Sequence, residues 1–313
     1  MTLLKRVRVL AVKHETTIGT PIATTATDAA FNAYDVEIQA ANEFLPRPAQ
    51  ASMSMLPGVI GLRSGTVTFK TELFGNGAAG SPGWADTLLP ACGFIEATDT
   101  FSPLSAPPST TPGTGVNHTV TIAVYENGVR KSISGAMGSF KLNFESGKIA
   151  TIEWSFTGKW EAPTDATILA PTYPTISPLR FAAATLTIGG AAPGCVQSLS
   201  VDVANTVTLR ECATKASGYE SALITDRSIK GTWNPESRLV ATEDVFGLWI
   251  AGTEEAFSLS LTDGTDTITL AAPKAQRVNV QEGDRNGIQT DEIEWQANKS
   301  ADAGDDELTI DFS

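Results

Sequence analysis

Two stretches of the chain arrange hydrophobic and polar positions in the same way. In the first, Asn127-Gly128 joins two alternating runs, a third run places Phe140, Leu142 and Phe144 on one side, and a fourth carries Ile152, Trp154 and Phe156. In the second, Asp263-Gly264 joins Leu259 and Leu261 to Ile268 and Leu270, Val278 and Val280 follow, and Ile293-Glu294-Trp295 closes the series. Period-two alternation marks strands with one face in a core, and Asn-Gly and Asp-Gly suit hairpin turns because they tolerate positive φ. The ordered series predicts one β-domain written twice, the alternative being two unrelated β-sandwiches whose turns line up.

Other positions repeat in the same order. Ala41-Asn42 matches Ala204-Asn205, Arg47 matches Arg210 and Arg63-Ser64 matches Arg227-Ser228, at separations of 163 to 164 residues. A short helix is expected over 81–89, with Ser81 as N-cap, Pro82 at the first helical position and Pro90 limiting its length. Its counterpart is Phe246 to Ile250, capped by Thr242. Residues 3–12 alternate as an edge strand or extended arm. A Pro/Ser/Thr-rich insertion at 97–117 has no counterpart, and Pro163, Pro171, Pro174 and Pro178 mark a stiff linker. The expected fold is mainly β: two similar sandwich or barrel domains at 1–162 and 180–313, joined by 163–179, each with one short flanking helix.

Composition narrows the function. With 42% hydrophobic and only 18% charged residues, 27 Gly and 17 Pro, strands and turns are favoured over helices. A formal net charge of -13 argues against nucleic-acid and anionic-membrane binding. Cys92, Cys195 and Cys212 have neither disulfide nor metal spacing and read as buried thiols of a reducing compartment. No export signal or membrane span is expected.

Chemistry-bearing patterns are sparse. His14 and His118 read as solvated loop residues, too few for a triad or metal centre. Residues 189–194 form a turn cluster in which Pro193 forbids the helix that a phosphate loop needs. Asp302, Asp305, Asp306 and Glu307 lack calcium-loop spacing and read as a solvated acidic connection. Glu292 and Glu294 share a strand face, and Glu153 holds the position equivalent to Glu294. A repeated acidic position suits a surface field better than a catalytic pair, which needs two different environments. A non-enzyme is expected, with no cofactor.

The run Leu199-Ser200-Val201-Asp202-Val203-Ala204-Asn205, then Arg210, Leu223 through Gly231, a short helix, the Asp263-Gly264 hairpin and Ile293-Glu294-Trp295 resembles the tail tube proteins of long-tailed, siphovirus-like bacteriophages. The resemblance implies a β-sandwich or barrel flanked by a helix, six tube domains per ring, and rings stacked into a hollow tube that conducts the genome. Two domains per chain would then close a ring with three chains, three-fold with a pseudo-six-fold lumen.

Further expectations follow from the same resemblance. The contact loop between rings maps to 45–64, with Arg47, Met53, Met55, Leu56 and Arg63, and to 208–228, with Arg210, Tyr219 and Arg227; Met53, Met55 and Leu56 are either apolar anchors between rings or caps on their own domain's core. Residues 2–13 and 308–312 become candidate arms, and the 97–117 insertion an outer decoration. Glu72, Glu153, Glu292 and Glu294, on polar strand faces, become candidates for an acidic lumen wall along which DNA slides. Implied partners are further copies of the chain, tail terminator and tail-tip proteins, a tape measure protein and DNA in transit, without specific nucleic-acid binding or a membrane. The implied location is the virion tail, after synthesis in the host bacterial cytoplasm.

The rivals are a tail terminator or head-tail adaptor, which would stop at one ring, and a carbohydrate-binding or adhesion β-sandwich, which would need exposed aromatic platforms. Trp84, Trp154, Trp160, Trp233, Trp249 and Trp295 fall mostly on apolar faces or a helix, which offers no such platform.

Overall fold

The computed structural model describes residues 7–78, 80–109 and 117–313. Its elements are β1 Arg8–His14, β2 Ala33–Pro48, β3 Met55–Glu72, α1 Gly83–Ala91, β4 Phe94–Ala97, β5 Thr100–Pro103, β6 Val120–Glu126, β7 Val129–Glu145, β8 Thr151–Asp165 and β9 Thr185–Ile188. There follow β10 Val196–Asp202, β11 Thr206–Glu211, β12 Tyr219–Asp226, β13 Lys230–Pro235, α2 Val245–Ile250, β14 Glu254–Thr262, β15 Thr267–Arg285, β16 Ile288–Ala297 and β17 Thr309–Phe312. The protein is mainly β.

Asn127 and Gly128, with φ of 40° and 111°, turn β6 tightly into β7. The arm after that turn does not end before Phe140, because β7 is one 17-residue strand and β15 one 19-residue strand. Bulges at Ser134/Met137 and Arg277/Asn279 shift their pairing midway, which bends a strand without ending it. The first half of β7 therefore pairs β6, and its second half pairs β10 along the same edge.

That edge extends an antiparallel path of eight strands, β2-β3-β8-β7-β10-β13-β16-β15. Its first four strands come from residues 33–165, its last four from 196–297, and the two groups run in the same order. Five pairs, from Ser198 opposite Glu145 to Asp202 opposite Lys141, join them. The outer edge of β2, and that of β15 beyond Arg277, have no strand partner among the described residues.

One face of the path carries the core. Phe69, Trp154 and Phe156 stack at 5.9–6.2 Å in the first group, and Trp233, Phe257 and Trp295 at 5.2–5.7 Å in the second. Trp84 of α1 meets Trp154 and Phe312 edge-on. Opposite Trp295 stands Gly231, where a Cβ would lie 2.2 Å from Ser200 O and 2.7 Å from the indole. A side chain there would have to displace backbone or the buried ring.

Several expectations change. Pro82 is the N-cap of α1, since Ser81 Oγ donates to Asp86 instead, and Pro90 lies within the last turn. Asp244, not Thr242, caps α2 by accepting from Gly247 N. Residues 163–165 end β8, Ile168 and Leu169 pack beside Val9 and Tyr125, and Leu179 is buried between backbone bonds to Leu73 and Ala150, so the Pro-rich segment is fastened down. The N-terminal run pairs β6 from Arg8 to His14, with 1–6 outside the described residues.

Within the insertion, β5 pairs β4 and β17, and buried Phe101 meets Phe312, so this part is core and not decoration; 110–116 lie outside the described residues. Cys92 is buried, which pushes its thiol pKa up, whereas Cys195 is exposed and Cys212 half-buried. The acidic connection is not simply solvated: Asp305 and Glu307 hold Arg227, and Asp306 accepts from Ser300 N and Ala301 N.

Candidate assembly surfaces

The face of the eight-strand path away from the core is polar, and its cross-strand register orders the charges. Tyr34, Lys70, Glu153, Lys141, Asp202, Lys230 and Gln296 stand directly opposite one another in a row over seven strands. Lys70 Nζ lies 2.9 Å from Glu153 Oε1. A parallel row holds Glu72, Thr151, Asn143, Ser200, Thr232, Glu294 and Asn279, and Glu292 lies beyond it, opposite Gln281. The four acidic residues singled out from sequence thus share one face. Lys141, Asp202 and Lys230 join them there, and only the register between strands far apart in sequence reveals it.

The outer part of the β2–β3 hairpin stands clear of the body. Phe44 pairs Ile60 and Leu45 pairs Val59, and these are 61%, 54%, 43% and 52% exposed. Consecutive strand residues point to opposite faces, so the ribbon is apolar on both. Arg47, Met55 and Leu56 continue it, and Met53 at the tip is fully exposed.

The β11–β12 hairpin is a separate two-stranded sheet laid on β7 and β8. Ser221 and Ala222 are buried there, and Gly135 leaves room for Ser221. Asn205 Nδ2 donates to Cys92 O at 2.7 Å and Gly138 O at 2.9 Å. Arg63 ties the two hairpins together, its N–H donating to Ser217 O and its guanidinium to Ala216 O. Arg210 is exposed on β11 and Tyr219 is half-buried on β12, its hydroxyl pKa raised by desolvation and by Glu211 and Glu43. Arg227 serves the interior of its own chain, bonded to Asp305 at 3.0 Å and Glu307 at 2.6 Å.

His14 and His118 are not solvated loop residues. Their rings meet at 4.5 Å with planes tilted by 52°, His118 is buried, and His14 Nε2 donates to Asp86 O at 3.0 Å. Burial lowers the His14 pKa from 6.5 to about 4. The adjacent Glu15 is buried and accepts from Gly19 N, Gly135 N, Thr119 Oγ1 and Thr121 Oγ1 at 2.7–2.8 Å. Burial raises its carboxyl pKa and these four donors oppose the rise. Glu15 fastens β1, β6, β7 and the segment after β1 together. Among the described residues, no three His, Cys, Asp or Glu side chains are grouped to hold a metal ion, and no helix is long and apolar enough to cross a membrane.

Open sheet edges and a two-faced apolar ribbon define an assembling, structural class of β-protein, whose unpaired groups call for further chains. The sequence profile of the phage tail tube protein family matches residues 6–311, and the chain belongs to that family. Its role is structural rather than enzymatic, its place is the virion tail, and it assembles with itself and other tail components. No curated protein matches the sequence.

Proposed function

We propose that the chain is the subunit of the hollow tail tube of a long-tailed phage, that it carries one tube domain twice, and that three chains close each ring. The observation that carries this reading is the β7–β10 junction, which joins two four-strand groups of identical order and leaves β2, and β15 beyond Arg277, with edges that no strand pairs among the described residues. Edge meets edge inside the chain, and the same addition between chains closes a cylinder without open edges.

Three chains would supply 24 strands, about 115 Å of circumference at roughly 4.8 Å per strand even without tilt, which encloses a lumen wider than a DNA duplex. The polar face, with Glu72, Glu153, Glu292 and Glu294, lines that lumen, which holds the tape measure protein before the genome passes. The β2–β3 ribbon, with Arg47, Met53, Met55 and Leu56, reaches the next ring. Terminator and tail-tip proteins cap the ends.

Negative-stain electron microscopy of the purified protein over a concentration series, with rotational averaging of end views, tests this. Hollow tubes with three-fold end views are expected. Isolated closed rings at every concentration would indicate a terminator or adaptor, and monomers throughout would sink the tube reading.

A further inference from the structure

We propose the residue register by which one chain joins the next: β2 of one chain adds antiparallel to β15 of its neighbour, with Glu37 opposite Asn279 and Tyr34 opposite Gln281. The inference rests on the ring reading above and takes the β7–β10 junction as its template.

Each side of the contact is located by hydrogen-bonding neighbours, counted from the two buried tryptophans. One residue before Trp154, Glu153 faces Lys141; one residue before Trp295, Glu294 faces Asn279. Asn279 therefore holds the place of Lys141, and by the same count Gln281 holds that of Asn143. One residue after Trp154, Ser155 faces Thr68, which faces Glu37; one residue after Trp295, Gln296 faces Lys230, which faces Asp202. Glu37 therefore holds the place of Asp202, and Tyr34 that of Ser200. Within the chain, Asp202 stands opposite Lys141 and Ser200 opposite Asn143. Transferring both sides gives the proposed pairs.

Burial points the same way. Val201 and Val203 are buried beside β7, while their counterparts by this count, Val36 and Ile38, are half-covered at the rim of the core. A neighbouring strand at β2 completes their cover. Val280, in the place of Leu142, is already buried. Where the internal junction sets Asp202 beside Lys141, the new one sets Glu37 beside an amide, so no like charges face each other directly.

A competing register exists. Matching Asn42 to Asn205 by sequence, at a separation of 163 residues, would put Gln39 in the place of Asp202 and thus opposite Asn279. Glu37 lies five residues before Asn42 but Asp202 only three before Asn205, so the two counts diverge where the second hairpin leaves the sheet, at 203–205 with Ala204 at φ 48°. The two registers differ by two residues, about 7 Å along a strand, and keep the same face outward.

Cysteine cross-linking separates them. In a Cys195→Ser, Cys212→Ser background, Glu37→Cys with Asn279→Cys places two thiols directly opposite, within bridging distance. Gln39→Cys with Asn279→Cys serves the rival register. Lys141→Cys with Asp202→Cys reports the internal junction as a positive control. Assembled protein is oxidised and run on non-reducing gels. The Glu37 pair is expected to give a ladder ending at three chains, several-fold more than the Gln39 pair. A mixture of chains carrying Glu37→Cys alone and Asn279→Cys alone should give covalent dimers, which keeps the test open if the double variant folds poorly. Rings that cross-link better through Gln39, or through neither, overturn the register and leave the ring standing. Wild-type protein that never assembles overturns both.

Discussion

The His14 imidazole donates through Nε2 to Asp86 O, and its buried Nδ1 has no hydrogen-bond partner among the described residues, so a second proton there would meet no acceptor among them. The pKa of about 4 in the folded chain lies below the ordinary 6.5. Between those values the unfolded chain binds the proton and the folded one does not, so stability falls as pH drops from 6.5 towards 4 and levels off below. With allowance for partial solvent screening, the loss is about 2 kcal/mol. Glu15 acts in the opposite sense, since its raised pKa takes stability away as pH climbs past the ordinary carboxylate range. Comparing wild type with His14→Gln cancels that contribution. Denaturant titrations at pH 7 and 4.5 should show the wild type losing about 2 kcal/mol more than the variant; equal losses would refute the neutral buried ring.

The two long hairpins behave differently although each begins in the same sheet. β2 and β3 run unbroken into solvent, whereas the second hairpin breaks at 203–205, with Ala204 at φ 48°, and again at 227–229, and folds onto β7 and β8. Among the described residues, nothing covers the outer part of the β2–β3 ribbon. Each large apolar side chain there gains about 1.5–3 kcal/mol on full burial, before ordering costs. Phe44→Ser with Ile60→Ser should therefore leave the denaturation midpoint nearly unchanged but stop assembly at single rings, as read by sedimentation and microscopy. Tubes of normal length would remove the ribbon from the contact between rings.

The hairpins at Asn127-Gly128 and Asp263-Gly264 were legible in sequence, but the stretch with Met53, Met55 and Leu56 read as a loop, because its Gly and Pro residues hid the pairing of β2 with β3 out to Pro48 and Met55. The fusion of successive runs into single strands at β7 and β15 was not legible, because a bulge interrupts the alternation and so reads as a strand end. Nor was the packing of half-buried His14 on His118, or the burial of His118 and of Glu15, whose donors Thr119, Thr121 and Gly135 lie more than 100 residues along the chain. Polar residues that are buried together look, one at a time, like loop residues.

Across the whole polar face the charges are interspersed rather than uniformly acidic. Lys70, Lys141 and Lys230 alternate with Glu153 and Asp202 in one row, while Glu72, Glu292 and Glu294 tip the balance to negative. In a lumen, that pattern would leave no lysine without an opposing carboxylate nearby, so passing phosphates would find no strong resting place. Replacing both carboxylates of the row, Glu153→Gln with Asp202→Asn, removes two negative charges per chain, hence six in a ring of three; Lys141 loses both of the carboxylates opposite it and Lys230 its one, while Lys70 keeps Asp35 at 3.9 Å. Virions carrying this variant should eject DNA more slowly than wild type. The delay should shrink as salt is raised from low to physiological strength, where screening acts within about 8–10 Å and phosphate contacts weaken steeply. Unchanged ejection times at low salt would mean that this face does not meet the DNA, and a delay insensitive to salt would assign the defect to assembly rather than to charge.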